Sequence, residues 1–143
     1  MKKFRTLTIL FVILAMLVFN IQPALAAPPL PSGFKGTVKI DGANVPAGTA
    51  VSARINGVEY AASAYLMYNG DTVYSLDVLG DDTDTPSTIE GGVDGNTIVF
   101  FIGTIQATQT GTWHSGVNVT LDLTGFSPRA LTVSKSGAGS GSV

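Results

Sequence analysis

AVSARI-NG-VEYAASAYL, residues 50–66, is the stretch whose reading decides the fold class. Val51, Ala53 and Ile55 alternate with Ser52 and Arg54, so apolar side chains recur every second residue. That is the period of a strand with one buried face. Asn56-Gly57 interrupts the pattern with the pair best suited to a two-residue type I′ turn, which needs positive φ at both positions. Strands over 50–55 and 58–66 are therefore expected to pair as a hairpin.

The same period extends in both directions. Upstream, Phe34, Gly36, Val38 and Ile40 fall on one face and Lys35, Thr37 and Lys39 on the other, until Asp41-Gly42 ends the run. Downstream, Asn69-Gly70-Asp71 makes another turn, and Tyr74, Leu76 and Val78 share one face of a strand over 72–79. Residues 80–96 read as a long polar loop. Thr97 to Ile102 is nearly all apolar and suits a central strand. Strands over 105–110 and 117–123 complete about seven, and no segment carries the period of a helix of ordinary length. The expected class is all-β, a two-sheet sandwich of about seven strands, with the sole tryptophan, Trp113, packed in its core.

The ends carry a different message. Lys2, Lys3 and Arg5 precede an apolar run from Leu7 to Phe19, and Ala24-Leu25-Ala26 supplies a small-residue cleavage triplet. Residues 1–26 thus read as a cleaved signal peptide, because the run is shorter than the roughly 20 residues that span a bilayer. Residues 27–33 form a Pro-rich leader, 34–124 the β domain and 125–143 a Ser/Gly-rich tail or linker. The expected location is secreted, in the medium or at the cell surface.

The full chain of 143 residues carries 8 Lys and Arg against 10 Asp and Glu. Loss of Lys2, Lys3 and Arg5 with the signal moves the net charge from −2 to −5. With no clustered cations, nucleic acid and anionic membrane surfaces are excluded as partners. The absence of cysteine leaves the core to be held by packing alone.

An ordered set of motifs runs through the domain: FKGTVKIDG at 34–42, PAGT at 46–49, ARINGV at 53–58, GDDTDTP at 80–86, EGGVDGNTIVF at 90–100 and TWHSG at 112–116. In that order they resemble the carboxypeptidase-regulatory-like modules of secreted and surface proteins of bacteria and archaea. The resemblance implies a transthyretin-like, Ig-like sandwich serving as an extracellular accessory domain without catalytic residues.

Chemistry has two candidate seats. Asp82, Asp84, Glu90 and Asp94 lie on a glycine-rich loop, and calcium binds six to eight oxygens on such bent acidic loops, so calcium is the candidate cofactor. The competing reading has the Asp and Thr side chains capping turns of a solvated loop. Tyr65 and Tyr68, near a hairpin end, are the candidate ligand-binding aromatics, for stacking on sugar rings. His114 is the only histidine and has no thiols or nucleophile elbow beside it, so it reads as a turn residue and the chain as a non-enzyme. The expected role is a structural, adhesive or ligand-binding module whose partners are an extracellular protein, a polysaccharide or further copies of itself. The alternatives are a carbohydrate-binding module and a filament or surface-layer subunit that exchanges edge strands through 27–33 or 126–143.

Overall fold

The computed structural model describes residues 27–46 and 48–129; the signal reading of 1–26 and most of the tail lie outside them. The described chain is all-β. Ten strands follow one another: β1 (Ser32–Ile40), β2 (Ala43–Asn44), β3 (Ala50–Ile55), β4 (Val58–Ala64), β5 (Leu66–Tyr68), β6 (Asp71–Val78), β7 (Thr97–Ile102), β8 (Ile105–Thr112), β9 (Asn118–Thr120) and β10 (Leu123–Gly125). No helix occurs among the described residues. The β3–β4 hairpin forms as expected, with φ of 51° at Asn56 and 83° at Gly57. Asp41-Gly42 and Asn69-Gly70 repeat the same positive-φ pair in the β1–β2 and β5–β6 hairpins.

The hydrogen-bonded path runs β4-β3-β7-β8-β10-β1-β6-β5, with β2 and β9 also paired to β1. The sheet nearly closes on itself, because β4 and β5 are its two ends and only Tyr65 separates them in the chain. One pair, Gly125↔Ala107, joins β10 to β8. Side chains reinforce that seam: Gln109 Oε1 accepts from the Thr124 amide at 2.8 Å, and the Thr108 hydroxyl donates to the Thr124 carbonyl at 3.3 Å.

Strand β1 organises the rest. Along one edge it pairs antiparallel with β6 from Ser32 to Thr37. Along the other it pairs parallel with β9 at Gly33–Lys35, then parallel with β10 at Val38–Ile40. Two of the strands read as single therefore divide. The run 117–123 breaks at Leu121-Asp122, where β9 gives way to β10, and 58–66 breaks at Tyr65. The leader also shortens, since Ser32 and Gly33 already belong to β1 and the Leu30 and Pro31 carbonyls accept from the Gly116 amide.

The hairpin contains an irregularity that alternation does not announce. Ala53 pairs with Ala61, but Arg54 pairs with Glu59, so Tyr60 is an extra residue in β4. Such a bulge shifts the side-chain phase of everything beyond it. Ala61, Ser63 and Tyr65 become the half-buried set, and Ala62, Ala64 and Leu66 the exposed one.

The core gathers Phe34, Val38, Tyr74, Leu76, Phe100, Ile102, Trp113 and Leu123 with their neighbours. Phe34 meets Phe100 edge-on at 5.2 Å between centroids, a favoured aromatic geometry. The Trp113 ring is 2% exposed, and its indole N–H donates to the Val78 carbonyl at 2.9 Å. Thr72, also buried, donates its hydroxyl to the Val38 carbonyl at 2.5 Å and knits β6 to β1.

Close backbone approach explains Gly36. A Cβ there would stand 2.4 Å from the Leu121 carbonyl oxygen. That oxygen cannot retreat freely, because the Tyr74 hydroxyl donates to it at 2.7 Å and the Leu121 amide donates to the Lys35 carbonyl at 2.7 Å. Gly36→Ala is expected to destabilise the protein by about 1–3 kcal/mol, the usual cost of overpacking, read as a lower urea midpoint with an unchanged slope.

Candidate functional site

The register of β5, β6, β1 and β9 sorts their side chains into two faces. Pairing of Leu66 with Val73, of Val73 with Thr37, of Ser75 with Lys35 and of Lys35 with Thr120 places these residues together on the outer face. Their neighbours Phe34, Val38, Thr72, Tyr74 and Leu76 are buried on the inner one. The outer face is hollowed into a groove of about 430 Å³, with Tyr68 and Val73 on one side, Lys35 and Thr37 across the middle, and Thr120 and Asp122 on the other.

Each wall is held in place by local chemistry. Tyr68 is 66% exposed and ends β5, where Asn69-Gly70 turns the chain back. Asn44 anchors that turn by donating from Nδ2 to the Gly70 carbonyl at 2.8 Å. Lys39 and Asp71 form an ion pair at 3.2 Å on the same face. Both groups are half in water, so the pair contributes little to stability.

Asp122 forms the opposite wall. Its Oδ1 accepts from the Thr37 backbone N–H at 2.7 Å, in the gap where β9 has ended and β10 has not begun. That hydrogen bond, aided by the Lys39 charge, holds the carboxyl below the usual carboxylate range. Beneath it, burial and the Asp122 charge raise the Tyr74 hydroxyl above the ordinary tyrosine value. Tyr74 therefore stays protonated and continues to donate to the Leu121 carbonyl. Lys35 is exposed and makes no ion pair among the described residues.

Of the two tyrosines expected at a ligand site, the structure places only Tyr68 on this face. Tyr65 is half-buried and packs against the core, because the Tyr60 bulge turns it inward. Lys35, Thr37, Thr120 and Asp122 join Tyr68 without having been singled out in the sequence. The alternation of 34–40 put Lys35 and Thr37 outside, but nothing local signalled that 118–122 would lie alongside them.

The acidic loop is built differently. Its neck is closed by a parallel bridge between Gly80 and Gly92, with the Asp81 amide donating to the Gly92 carbonyl at 3.0 Å and the Gly92 amide to the Leu79 carbonyl at 2.8 Å. The Trp113 ring packs over that neck so closely that a Cβ on Gly92 would lie 2.6 Å from it. Within the loop three of the carboxylates hold local turns. Asp82 Oδ1 accepts from the Asp84 amide at 3.0 Å, and Asp81 Oδ1 from the Glu90 amide at 3.1 Å. Glu90 Oε1 accepts from the Thr85 hydroxyl at 2.7 Å. Asp94 turns away to His114 Nδ1 at 2.6 Å, on the exposed surface. No group of three or more His, Cys, Asp or Glu side chains is placed to share a metal ion among the described residues.

Calcium is accordingly expected to leave the melting temperature of residues 27–143 unchanged relative to excess chelator. A rise that tracks calcium concentration would show that the loop regroups around the ion. For Asp122 the sign follows from its lowered value. Its contribution is present above the ordinary aspartate pKa of about 4 and is lost as pH falls through the lower folded value. Asp122→Asn should lower the urea midpoint at neutral pH, and the difference from the wild type should shrink on acidification below about pH 4. A difference independent of pH would remove the ionised carboxylate from the account.

No protein-family model, curated protein or solved structure matches the chain, so its functional reading rests on its own geometry.

Proposed function

We propose that this chain works outside the cell as a non-catalytic binding module, of the carboxypeptidase-regulatory-like kind, whose partner is an extracellular protein or polysaccharide. The observation that carries the reading is Tyr68, held exposed by a pinned hairpin at the wall of a groove on the outer sheet face. Leu66 lies exposed on the same face of β5, and exposed apolar side chains gathered in a patch mark an interaction surface. The leading segment supports export by its sequence pattern, and the cysteine-free core needs no oxidative step to fold.

In this reading the strands make the two layers of a sandwich, β5-β6-β1 with β9 and β10 in one and β4-β3-β7-β8 in the other. The layers meet at the single β8–β10 pair and at the Tyr65 crossing. The Trp113 ring and the glycine neck of the acidic loop close one end. Their role is to keep the scaffold stiff while the groove engages its partner.

A second reading, assembly of copies through a sheet edge, is favoured by one feature. The terminal strand β5 leaves Leu66, Met67 and Tyr68 exposed in succession. Exposed apolar edge strands template pairing with other chains. The leader is less suited to strand donation than its sequence implied, since its last residues already pair within their own domain.

The two readings separate in one experiment. The exported protein is incubated with envelope material from the cells that export it, and bound protein is measured for the wild type, Tyr68→Ala and Met67→Lys. The groove reading expects Tyr68→Ala to lose at least about tenfold in retention, as for a central aromatic contact, with Met67→Lys retained. Unchanged retention of Tyr68→Ala would overturn it. Loss of concentration-dependent self-association in Met67→Lys would favour the edge.

A further inference from the structure

We infer that the open edge of β5 takes up an extended, uncharged peptide segment of an extracellular protein, one that carries apolar side chains at alternate residues and adds to the sheet as a further strand. This rests on the binding-module reading and names the partner for which Tyr68 is held exposed.

Main-chain geometry supplies the first part. Tyr68 and Asp71 close the two-residue turn at Asn69-Gly70 as a bonded pair, so the next pair, Met67 with Thr72, is a non-bonded one. Thr72 accordingly donates its amide away from β5, to Asn44 Oδ1 at 3.2 Å. The Met67 N–H and C=O therefore point away from β6, to an outer edge that no strand of the path covers. A segment laid antiparallel along β5 would exchange both bonds with Met67. Its residues on either side would then face Leu66 and Tyr68 in non-bonded pairs, where side chains approach most closely.

The edge is also left unguarded. Native sheets blunt exposed edges with charge, proline or a bulge. At the far end of the strand path, β4 has two of these, Glu59 and the bulge at Tyr60. In β5 there is none: Leu66, Met67 and Tyr68 are consecutive, exposed and uncharged. Strand β9 likewise turns main-chain groups outward at Asn118 and Thr120, since Val117 and Leu121 on either side bond to β1. Its outward side chains are polar, so the edge that suits an apolar segment is β5.

The surface beside that edge sets the chemistry of the segment. The exposed lining of the groove next to Tyr68 is almost wholly apolar, and Leu66 adds to it on the same face. Its two charges, Lys35 and Asp122, are of opposite sign, and Lys39 nearby is matched by Asp71. A charged segment would find no surplus of the opposite sign here and would give up water for apolar surface. The bonds to Met67 fix the register of the segment, and apolar burial against Leu66 and Tyr68 supplies the affinity.

The test titrates residues 27–143 with a short capped peptide that alternates valine with threonine, and follows exchange of the Met67 amide alongside affinity. Binding is expected to slow that exchange and to change less than about twofold between low and high salt. Methylating the threonine amides of the peptide should weaken it at least about tenfold, because a bond is lost and the Met67 carbonyl is left unpaired. Glutamates in place of its valines should do the same. On the protein, Met67→Pro removes the outward N–H where the ladder to β6 does not use it, and Tyr68→Ala removes the ring. Each should weaken binding at least about tenfold, whereas Met67→Ala keeps the amide and the binding. The methylated peptide leaves the protein unaltered, so it decides the question even where Met67→Pro fails to fold. A peptide that does not bind, or binds regardless of methylation and of Met67→Pro, would overturn strand addition; envelope retention that still depends on Tyr68 would then leave the binding module standing. Self-association abolished by Met67→Pro, with no peptide bound, would overturn the peptide as occupant in favour of a second copy. Peptide binding and envelope retention both indifferent to Tyr68→Ala would overturn both readings.

Discussion

The handover at Gly36-Thr37 is the constraint from which the rest of the structure follows. Strand β1 must satisfy both of its edges along its whole length, and no one C-terminal strand does this on its second edge. At the break between β9 and β10 the Thr37 amide would be left without a strand partner, and Asp122 supplies the missing acceptor. A short side-chain acceptor is thus placed where the ladder fails. The same crossing brings the Leu121 carbonyl so near β1 that only glycine fits at residue 36. Tyr74 then reaches over that glycine from β6 and fixes the carbonyl. Groove wall, core aromatic and strand junction are thus one assembly.

A second junction governs the opposite region. Trp113 fills the space beneath the neck of loop 80–92 and caps the Val78 carbonyl. Gly80, Gly91 and Gly92 lie so close to the ring, or to the Leu79 backbone, that added Cβ atoms would stand 2.8, 2.1 and 2.6 Å from their nearest neighbours. The loop is therefore anchored at its base and free to carry polar side chains above it. Its carboxylates find partners locally, in amides and hydroxyls a few residues away, which is how short acidic side chains stabilise irregular backbone. Asp81, Asp82 and Glu90 hold turns of the loop, and the exposed Asp94–His114 pair ties it to the one that follows β8.

How the charges are distributed also matters for the proposed activity. The acidic excess of the chain is concentrated on loop 80–96, whereas the groove carries opposite charges in balance. A scaffold of this design repels polyanions at long range and presents a neutral, partly apolar surface at contact. The rigid ladder beneath the groove limits the ordering cost of binding, so modest contacts can suffice.

The sequence by itself determined most of the strands and the buried faces of β1, β3 and β6. Alternation at 34–40, 50–55 and 72–79 and the pairs Asp41-Gly42, Asn56-Gly57 and Asn69-Gly70 are local signals, and local signals survive without knowledge of the fold. They announced the all-β class, the hairpin at 56–57, the burial of Trp113 and Tyr74 and the exposure of Tyr68. What only the tertiary structure decided is which strands meet at long range. The parallel pairing of 33–35 with 118–120, some 85 positions apart in sequence, created the groove, and no periodicity within either segment encodes the other. The inward turn of Tyr65 had the same origin, because a bulge at Tyr60 is a property of the pairing with β3 and not of β4 alone. The carboxylates of 82–94 were legible as a cluster in sequence but not in space, since Asp82 takes a backbone amide, Glu90 a threonine hydroxyl and Asp94 the His114 ring. Sequence spacing measures distance along the chain, and a sheet that folds back on itself makes neighbours of residues that spacing holds apart.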